Sequence, residues 1–583
     1  MSESIPSRLS SRMGKLNPFK SRSKRGDEDE DDHGEAIDID TVAGGGHAAL
    51  PADIARHPVR VSEALQAFLS REGVVKQGDP EGLARLLDAP VAVPPAHVTD
   101  RSHPLAEYFI SSSHNTYLLA HQLYGASSAA AYETTLKAGA RCIEIDAWDN
   151  PDDRSEPKVT HGYTLVSNIP FRAVCETVRD AVDREAAEAL AHGYVPGPVL
   201  VSLENHCDQE GQLRLVHIMK EVWGDRLVSE PVRRRGHEEQ EGGSPVRLAD
   251  LGSKIAVIVE YHLPDEADDS STSDSSSDSE EEEKKARREY KAKKKVAPPS
   301  IIIPELAELG VYAQSVKPRD ASWYTEGKVK NGPEENHLIN VSETGLASHL
   351  AEHRSAIARH NARHLMRVYP KGTRISSKNL SPVPFWAVGA QICALNWQTF
   401  GGSMQINDAM FAGTAGYVLK PASLRADAVP SRSRKTLRLR VAGATNVPYK
   451  GDLDELKPYL TCTLLHMTSD GELAKVKRKT GAYHARKTLS HLTSLLGVGN
   501  ERPPPTDPLW DETLEWEFED DELVFLRMLI KSEESFQTNP ILAVAAVRLL
   551  YVQPGWRFVR MLNLKGHETG CALLVRLDIE DSP

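Results

Sequence analysis

Residues with the means for chemistry recur in this chain just after short apolar runs. Phe109-Ile110 leads into Ser113-His114-Asn115, and Cys142-Ile143-Glu144-Ile145-Asp146 alternates apolar and acidic side chains. His161 follows, and the run Val199 to Leu203 ends at Glu204. The carboxylates of Glu144, Asp146 and Glu204 and the amide oxygen of Asn115 are hard oxygen donors, suited to Ca²⁺ or Mg²⁺. His114 and His161 beside such an ion could exchange protons or stabilise charge near neutral pH. An ion, two imidazoles and carboxylates, with no candidate activated Ser or Cys, point to metal-assisted phosphoryl transfer. Singly each residue has a duller explanation: a lone strand-end His is commonly structural, and Glu-x-Asp recurs in many strands. The joint order carries the reading.

These residues need elements that hold them together. Between the strand-like runs lie helical stretches such as Phe171 to Ala191 and Gln212 to Val222, and Ile255 to Val259 is a further buried run ending at Glu260. Strands alternating with helices predict a parallel sheet. Polar clusters at successive strand ends predict an α/β fold of the (β/α)8 TIM-barrel type, with its site at the carboxyl ends of the strands. After Arg425 the stretches Thr436 to Val441, Tyr459 to Leu464, Leu514 to Phe518, Val524 to Ile530 and Cys571 to Leu577 are strand-like with no long helix between them. They predict an all-β, C2-like sandwich.

Six segments are expected along the chain. Residues 1–57 form a disordered tail, 58–103 a small helical leader packed on the next domain, 104–263 one barrel half, 264–300 a disordered linker, 301–425 the second half and 430–580 the sandwich. The leader has Val61, Leu65, Phe68 and Leu69 on one face and no calcium loop of the EF-hand type. The linker is acidic and Ser-rich from Asp265 to Glu283 and basic from Lys284 to Lys295, without any period. A chain of 583 residues suits this number of parts, and its formal charge of -13 excludes a dedicated nucleic-acid binder. The acidic runs do not set that sign: residues 1–36 hold seven bases and eight acids, and 264–298 hold eight and eleven. Six scattered cysteines with no C-x-x-C pair fit a reducing cytoplasm. The start of the chain has no apolar secretory core, and Ile541 to Val547 meets Arg548 far short of the ~20 apolar residues a spanning helix needs. Work on a membrane is therefore expected from its surface.

At this point the chain resembles eukaryotic phosphoinositide-specific phospholipase C in its short, delta-like form. The likeness runs through Ser111 to Leu118, Arg141 to Asp149, His161 to Thr164 and Ser202 to His206. Beyond the linker it continues through Arg367 to Gly372, Gln391 to Thr399 and Gly416 to Pro421. These words cover both halves, X and Y, of that family's catalytic barrel, and the linker and sandwich sit where the family has its X/Y linker and C2 domain. No pleckstrin-homology domain is expected in the first 100 residues. The resemblance implies that Asn115, Glu144, Asp146 and Glu204 hold Ca²⁺. It implies that Glu144 or Glu204 takes the proton of the inositol 2-hydroxyl, which attacks the 1-phosphate to give a cyclic phosphodiester that water opens. His114 would hydrogen-bond the phosphoryl oxygen and His161 would protonate the departing diacylglycerol oxygen. Ser342, Arg367 and Tyr369 would contact the headgroup. The implied partners are a phosphoinositide lipid and, reversibly, the cytoplasmic face of a membrane, with no nucleic acid. Two other readings stand beside it: a membrane-binding scaffold with weak or altered headgroup specificity, and a glycerophosphodiester phosphodiesterase, which lacks the His-Asn word and the Arg-x-Tyr-Pro.

Two departures matter. Two lysines that the family places on the strand near 254–262 fall here on Ile258 and Glu260, so weaker use of the bisphosphate headgroup is expected, unless Lys371 or Lys378 compensates. In the sandwich, Lys531-Ser532-Glu533-Glu534-Ser535 replaces an Asp-rich calcium loop, while the basic stretch Lys475 to Lys479 with Arg486-Lys487 could meet anionic lipid. The linker acids, with serines such as Ser275 and Ser279, are expected to repel an anionic membrane.

Overall fold

A computed structural model describes residues 58–119, 127–161, 167–232, 245–260, 301–318, 320–329, 336–371, 374, 377–426, 432–485, 503–533 and 540–582, together with His47. The tail ahead of Pro58 (His47 apart), the whole linker, Arg486, Lys487, Glu534 and Ser535 lie outside the described residues.

Eight parallel strands close into a barrel in the order β1 (Tyr108–Ser113), β10 (Ile392–Leu395), β9 (Leu365–Tyr369), β8 (His337–Ser342), β7 (Gln314–Val316), β6 (Ile255–Glu260), β5 (Val199–His206) and β2 (Cys142–Trp148). The pairing of Ser112 with Cys142 joins β1 back to β2 and completes the ring. Two short strands, β3 (Lys158–Val159) and β4 (Ile169–Pro170), extend β2 antiparallel, and β11 (Tyr417–Leu419) pairs antiparallel with β1. The period of two sorts each strand. On β2 the side chains of Ile143, Ile145 and Ala147 turn outward into a core shared with the helix Phe171–His192, while Glu144 and Asp146 turn inward. That helix stops at Gly193, whose φ of 72° is the left-handed conformation a helix end favours in glycine. The helix Gln209–Trp223 starts at Asp208, whose carboxylate accepts from the Gly211 N–H at 2.9 Å.

The second unit of structure is antiparallel throughout: β12 (Ser433–Thr445), β13 (Pro458–Met467), β14 (Leu473–Lys479), β15 (Leu509–Asp520), β16 (Phe525–Ser532), β17 (Ile541–Arg548), β18 (Trp556–Leu562) and β19 (Glu568–Asp581). Its edge strands come together, since the Trp516 indole of β15 donates to the Val476 carbonyl of β14 at 2.8 Å. The sheet thus wraps a core that includes Leu439, Leu460, Met528 and Val559, as a C2-like domain does. The apolar run at 541–547 is the interior strand β17.

The leader packs only in part where expected: Val98 near its end is buried in the barrel's core, but its two helices go elsewhere. Its helices Glu63–Arg71 and Pro80–Asp88 form as the apolar spacing predicts, but Leu65, Phe68 and Leu69 bury against Trp556, Phe558 and Leu574 of the C-terminal sheet. The barrel that follows in sequence already covers its strands with its own helices, whereas the outer face of β18 and β19 offers an aromatic surface. Phe68 meets Trp556 edge-to-face at 5.1 Å.

Candidate active site

All the strand-end residues singled out in the sequence except His161 and Asn115 stand on, or directly after, parallel strands at their carboxyl ends. Asp146 of β2 pairs in register with Glu204 of β5, so the two carboxylates share a face, and Glu144 lies two residues earlier on that face. One oxygen from each of Glu144, Asp146 and Glu204 lies within 4.8 Å of the others. Asn115 follows β1 with φ 46°, a left-handed turn that asparagine tolerates better than most side chains. That turn aims its N–H at Glu144 Oε2, 2.7 Å away.

Three like charges brought together need cations. Arg367 of β9 supplies one, donating to Glu144 Oε1 at 2.5 Å and to Asn340 Oδ1 at 3.2 Å. Burial works against the Arg367 charge, but Glu144 beside it holds the guanidinium firmly protonated. Asp146 is 3% exposed; burial, with Glu204 and Glu144 nearby, pushes its carboxyl well above the usual range. Its Oδ1 is buried and has no hydrogen-bond partner. An orphaned carboxylate oxygen among three carboxylates is a good fit for a bound hard cation.

The tyrosine two residues after the His-Asn word organises this group. Its Tyr117 hydroxyl lies 2.5 Å from Asp146 Oδ2 and 3.1 Å from Asn115 Oδ1, and burial keeps the phenol protonated. His114 is likewise positioned from a distance, with Nδ1 2.9 Å from Asn396 Oδ1 just beyond β10. The Asn396 amide N–H₂ donates to the Lys378 carbonyl at 3.1 Å, so its oxygen faces the ring and Nδ1 carries the proton. Burial lowers the His114 pKa, against a smaller upward pull from Glu144. Neither Tyr117 nor Asn396 carries a spacing signal; each acquires a role only when the barrel closes.

The remaining expected residues fall as follows. His161 is half-buried one residue past the Thr160 N–H, which donates to the Asp146 carbonyl at 3.3 Å. Tyr369 ends β9, with the Arg367 guanidinium 5.8 Å from its ring centre. Ser342 ends β8 beside Tyr369, but its hydroxyl oxygen also caps the helix Glu343–Asn361, accepting from the Gly345 N–H at 3.1 Å. Ile258 is 1% exposed in the barrel's interior core, which also holds Leu200 and Leu338, while Glu260, two residues on, reaches the rim. There Lys317, which follows β7 and carries no signal in the sequence, stands 3.9 Å from Glu260 Oε1.

Residues 101–261 match the family model for the phosphatidylinositol-specific phospholipase C X domain, and residues 306–423 match the Y domain of the same family. The chain is 34% identical over 497 residues to the human protein named 1-phosphatidylinositol 4,5-bisphosphate phosphodiesterase delta-3, covering 83% of this chain and 57% of that one. It is 30% identical over 502 residues to the delta-1 protein of Rattus norvegicus, covering 83% and 61%. This chain therefore spans about three fifths of the length of these relatives. The crystal structure of PLC21 from S. officinalis shares the fold with a TM-score of 0.66 at 24% identity, covering 91% of this chain and 65% of that one.

Proposed function

The chain belongs to the phosphatidylinositol-specific phospholipase C family through its X and Y domains, and from that premise we propose that it is a calcium-dependent phosphodiesterase that cleaves phosphatidylinositol lipids to diacylglycerol and inositol phosphates. The observation that carries the reading is the carboxylate cluster of Glu144, Asp146 and Glu204 beside His114, at the carboxyl ends of strands in a closed barrel. Asn115, Glu144, Asp146 and Glu204 would hold Ca²⁺, which when bound lowers the pKa of the inositol 2-hydroxyl and offsets charge on the phosphate.

The chain's own residues divide the rest of the work. Both Glu144 oxygens already accept strong donors, from Arg367 and from the Asn115 N–H. Glu204 is 40% exposed at the mouth, with Oε1 3.0 Å from His206, and is the better placed base for the 2-hydroxyl proton. With Nδ1–H held by Asn396, His114 presents Nε2 to the site. It donates to the phosphoryl oxygen as an imidazolium, a form the incoming phosphate anion favours. His161 at the rim protonates the departing diacylglycerol oxygen, and with Glu204 it handles the water that opens the cyclic phosphodiester. Ser342, Arg367 and Tyr369 contact the headgroup.

A second reading has its own observation. Ile258 is buried in the barrel interior, and Glu260 places an anion where a phosphorylated ring would approach. These favour phosphatidylinositol or its 4-phosphate over the bisphosphate. The chain would meet its substrate as a peripheral protein at the cytoplasmic face of a membrane; among the described residues no helix is long and apolar enough to cross one. The deciding experiment is release of inositol phosphates from vesicles of phosphatidylinositol, its 4-phosphate and its 4,5-bisphosphate, with and without Ca²⁺. Calcium-dependent release that His161→Ala abolishes is expected. Turnover of glycerophosphodiesters alone, or no turnover of any inositol lipid, would overturn the proposal.

A further inference from the structure

A second cluster of ligand-type side chains lies at the opposite end of the barrel. His337 is the first residue of β8, His364 directly precedes β9, and His360 is in the last turn of the helix Glu343–Asn361 that joins those strands. The same two strands end in Ser342 and Tyr369, so the histidines are about 17 Å from the headgroup residues, five residues of strand away. One ring nitrogen from each of the three lies within 4.8 Å of the others. His337 is 1% and His360 5% exposed, and half-buried His364 gives the group its access to solvent.

Hydrogen bonding fixes what the rings can do. The Asn361 amide N–H₂ donates to the Val388 carbonyl at 2.9 Å, so Asn361 Oδ1 faces His360 Nδ1 at 3.0 Å and that nitrogen bears the proton. His360 Nε2 is then a lone pair, and it points at His337 Nε2, 3.0 Å away. An imidazole oriented by an amide oxygen behind it, with the other nitrogen directed into a cluster, is the arrangement metal-bound histidines use. If His337 answers by donating from Nε2, its Nδ1 becomes a lone pair in the interior, and Nδ1 is buried without a partner. The three rings cannot all be satisfied by one another.

We propose that His337, His360 and His364 form a transition-metal site at the amino end of the barrel, taking Zn²⁺ or a similar borderline-soft divalent ion. The donor set is all imidazole, with no carboxylate, which suits Zn²⁺, Co²⁺, Ni²⁺ or Cu²⁺ and disfavours Ca²⁺ and Mg²⁺. Burial also keeps the rings neutral, as ligation requires. The Nε2 atoms of His337 and His360 need only part to about 3.3 Å, the edge of a tetrahedron with ~2.0–2.1 Å bonds. His364 stacks on His337 with ring centres 4.1 Å apart, and as the half-buried member it is the ring that turns to close the site. Arg363 places a cation nearby and would weaken the affinity.

The test is a Co²⁺ titration of the metal-free full chain in excess Ca²⁺, which saturates the carboxylate cluster, read by visible d–d absorption. One equivalent of Co²⁺ is expected to bind, with His364→Gln weakening it at least tenfold. His353→Gln, which removes one of the helix pair His349 and His353, should leave it unchanged. Equal affinity for wild type and His364→Gln, loss in His353→Gln instead, or no band at all would overturn the proposal. X-ray absorption at the zinc edge on wild-type protein decides the matter even if His364→Gln misfolds. Three imidazole nitrogens are expected, and carboxylate oxygens or fewer than three imidazoles would overturn it.

Discussion

His114 and Asn396 are 282 residues apart in the chain and 2.9 Å apart at the site, and the tautomer of the one follows from the amide orientation of the other. Removing that amide frees the ring to rotate and to exchange its proton positions. Asn396→Ala is therefore expected to lower kcat about 10–100-fold with little change in KM, as loss of an orienting partner does. A change confined to KM would assign Asn396 to binding instead. A different residue, Lys420, has no catalytic task and carries a stability consequence. It is 2% exposed, its ammonium donates to the Asn361 carbonyl at 2.8 Å, and burial drives its pKa well below the usual lysine range, against a weaker opposing pull from Glu107. The unfolded lysine keeps its proton up to about pH 10.4. Between the lowered folded value and that point the unfolded chain binds more protons, so stability rises with pH across the window. Lys420→Met leaves the Asn361 carbonyl its other donor, Gln391 Nε2 at 2.7 Å. The variant is expected to be more stable than wild type near neutral pH, by about 1–3 kcal/mol, the scale of one buried polar group. Urea denaturation should show that advantage shrinking as pH approaches ~10; a pH-independent difference would refute the account.

At the scale of elements, the strand β6 and its neighbour β7 set the charge of the barrel rim. Ile258 and Glu260 on β6 remove positive charge, while Lys317 just after β7 restores one cation and spends part of it on Glu260 at 3.9 Å. Glu260→Lys is expected to raise the rate ratio of bisphosphate to unphosphorylated lipid about tenfold, in line with ~1.5–3 kcal/mol for a charge-assisted contact. Lys317→Ala should lower the same ratio, and vesicle assays on the two lipids side by side measure both. Lys317 also marks the boundary of what a sequence makes legible. The strands, the Glu144-x-Asp146 pair and the leader helices all show in local periodicity, because a strand or helix face is written within a few consecutive residues. Contacts made between strands are not local. Arg367 on Glu144, Asn396 on His114 and the histidine trio depend on β1 meeting β10 and on β8 lying beside β9. The leader shows the same limit: Leu65 and Phe68 reveal an apolar face, but that it covers β18 and β19 depends on a surface hundreds of residues away.

On the scale of the molecule, the barrel and the C-terminal sheet share one core. Trp386 beside the barrel packs on Phe525 of β16 at 5.8 Å between ring centres, and buried Arg527 donates to Gln405 Oε1 at 2.6 Å. Tyr551 donates to the Met410 carbonyl at 3.0 Å and accepts from Arg548 at 2.7 Å. The leader straps the same joint, with the Val93 N–H donating to the Tyr551 carbonyl at 2.7 Å. A joint so filled fixes the direction of the barrel mouth relative to the sheet, so a surface on the sheet that met lipid would aim the mouth. With a net charge of -13 the chain gains nothing from bulk attraction to anionic lipid, and local basic surface must supply it. The edge strand β14 exposes Lys475, Lys477 and Lys479. Lysines on an edge strand also discourage pairing with another chain, a role that needs no membrane. Reversing all three to Glu separates the two roles. At ~1 kcal/mol per near-surface charge, docking through β14 predicts a loss of more than tenfold in hydrolysis of anionic vesicles. The loss should fade at high salt, because exposed charges are screened within about 10 Å at 0.1 M. Hydrolysis of a soluble short-chain phosphatidylinositol should stay within about twofold of wild type, since β14 belongs to the sheet and the active-site residues to the barrel. Equal losses on both substrates would mean that the reversal had damaged the fold, and no loss on vesicles would leave β14 as an edge guard alone.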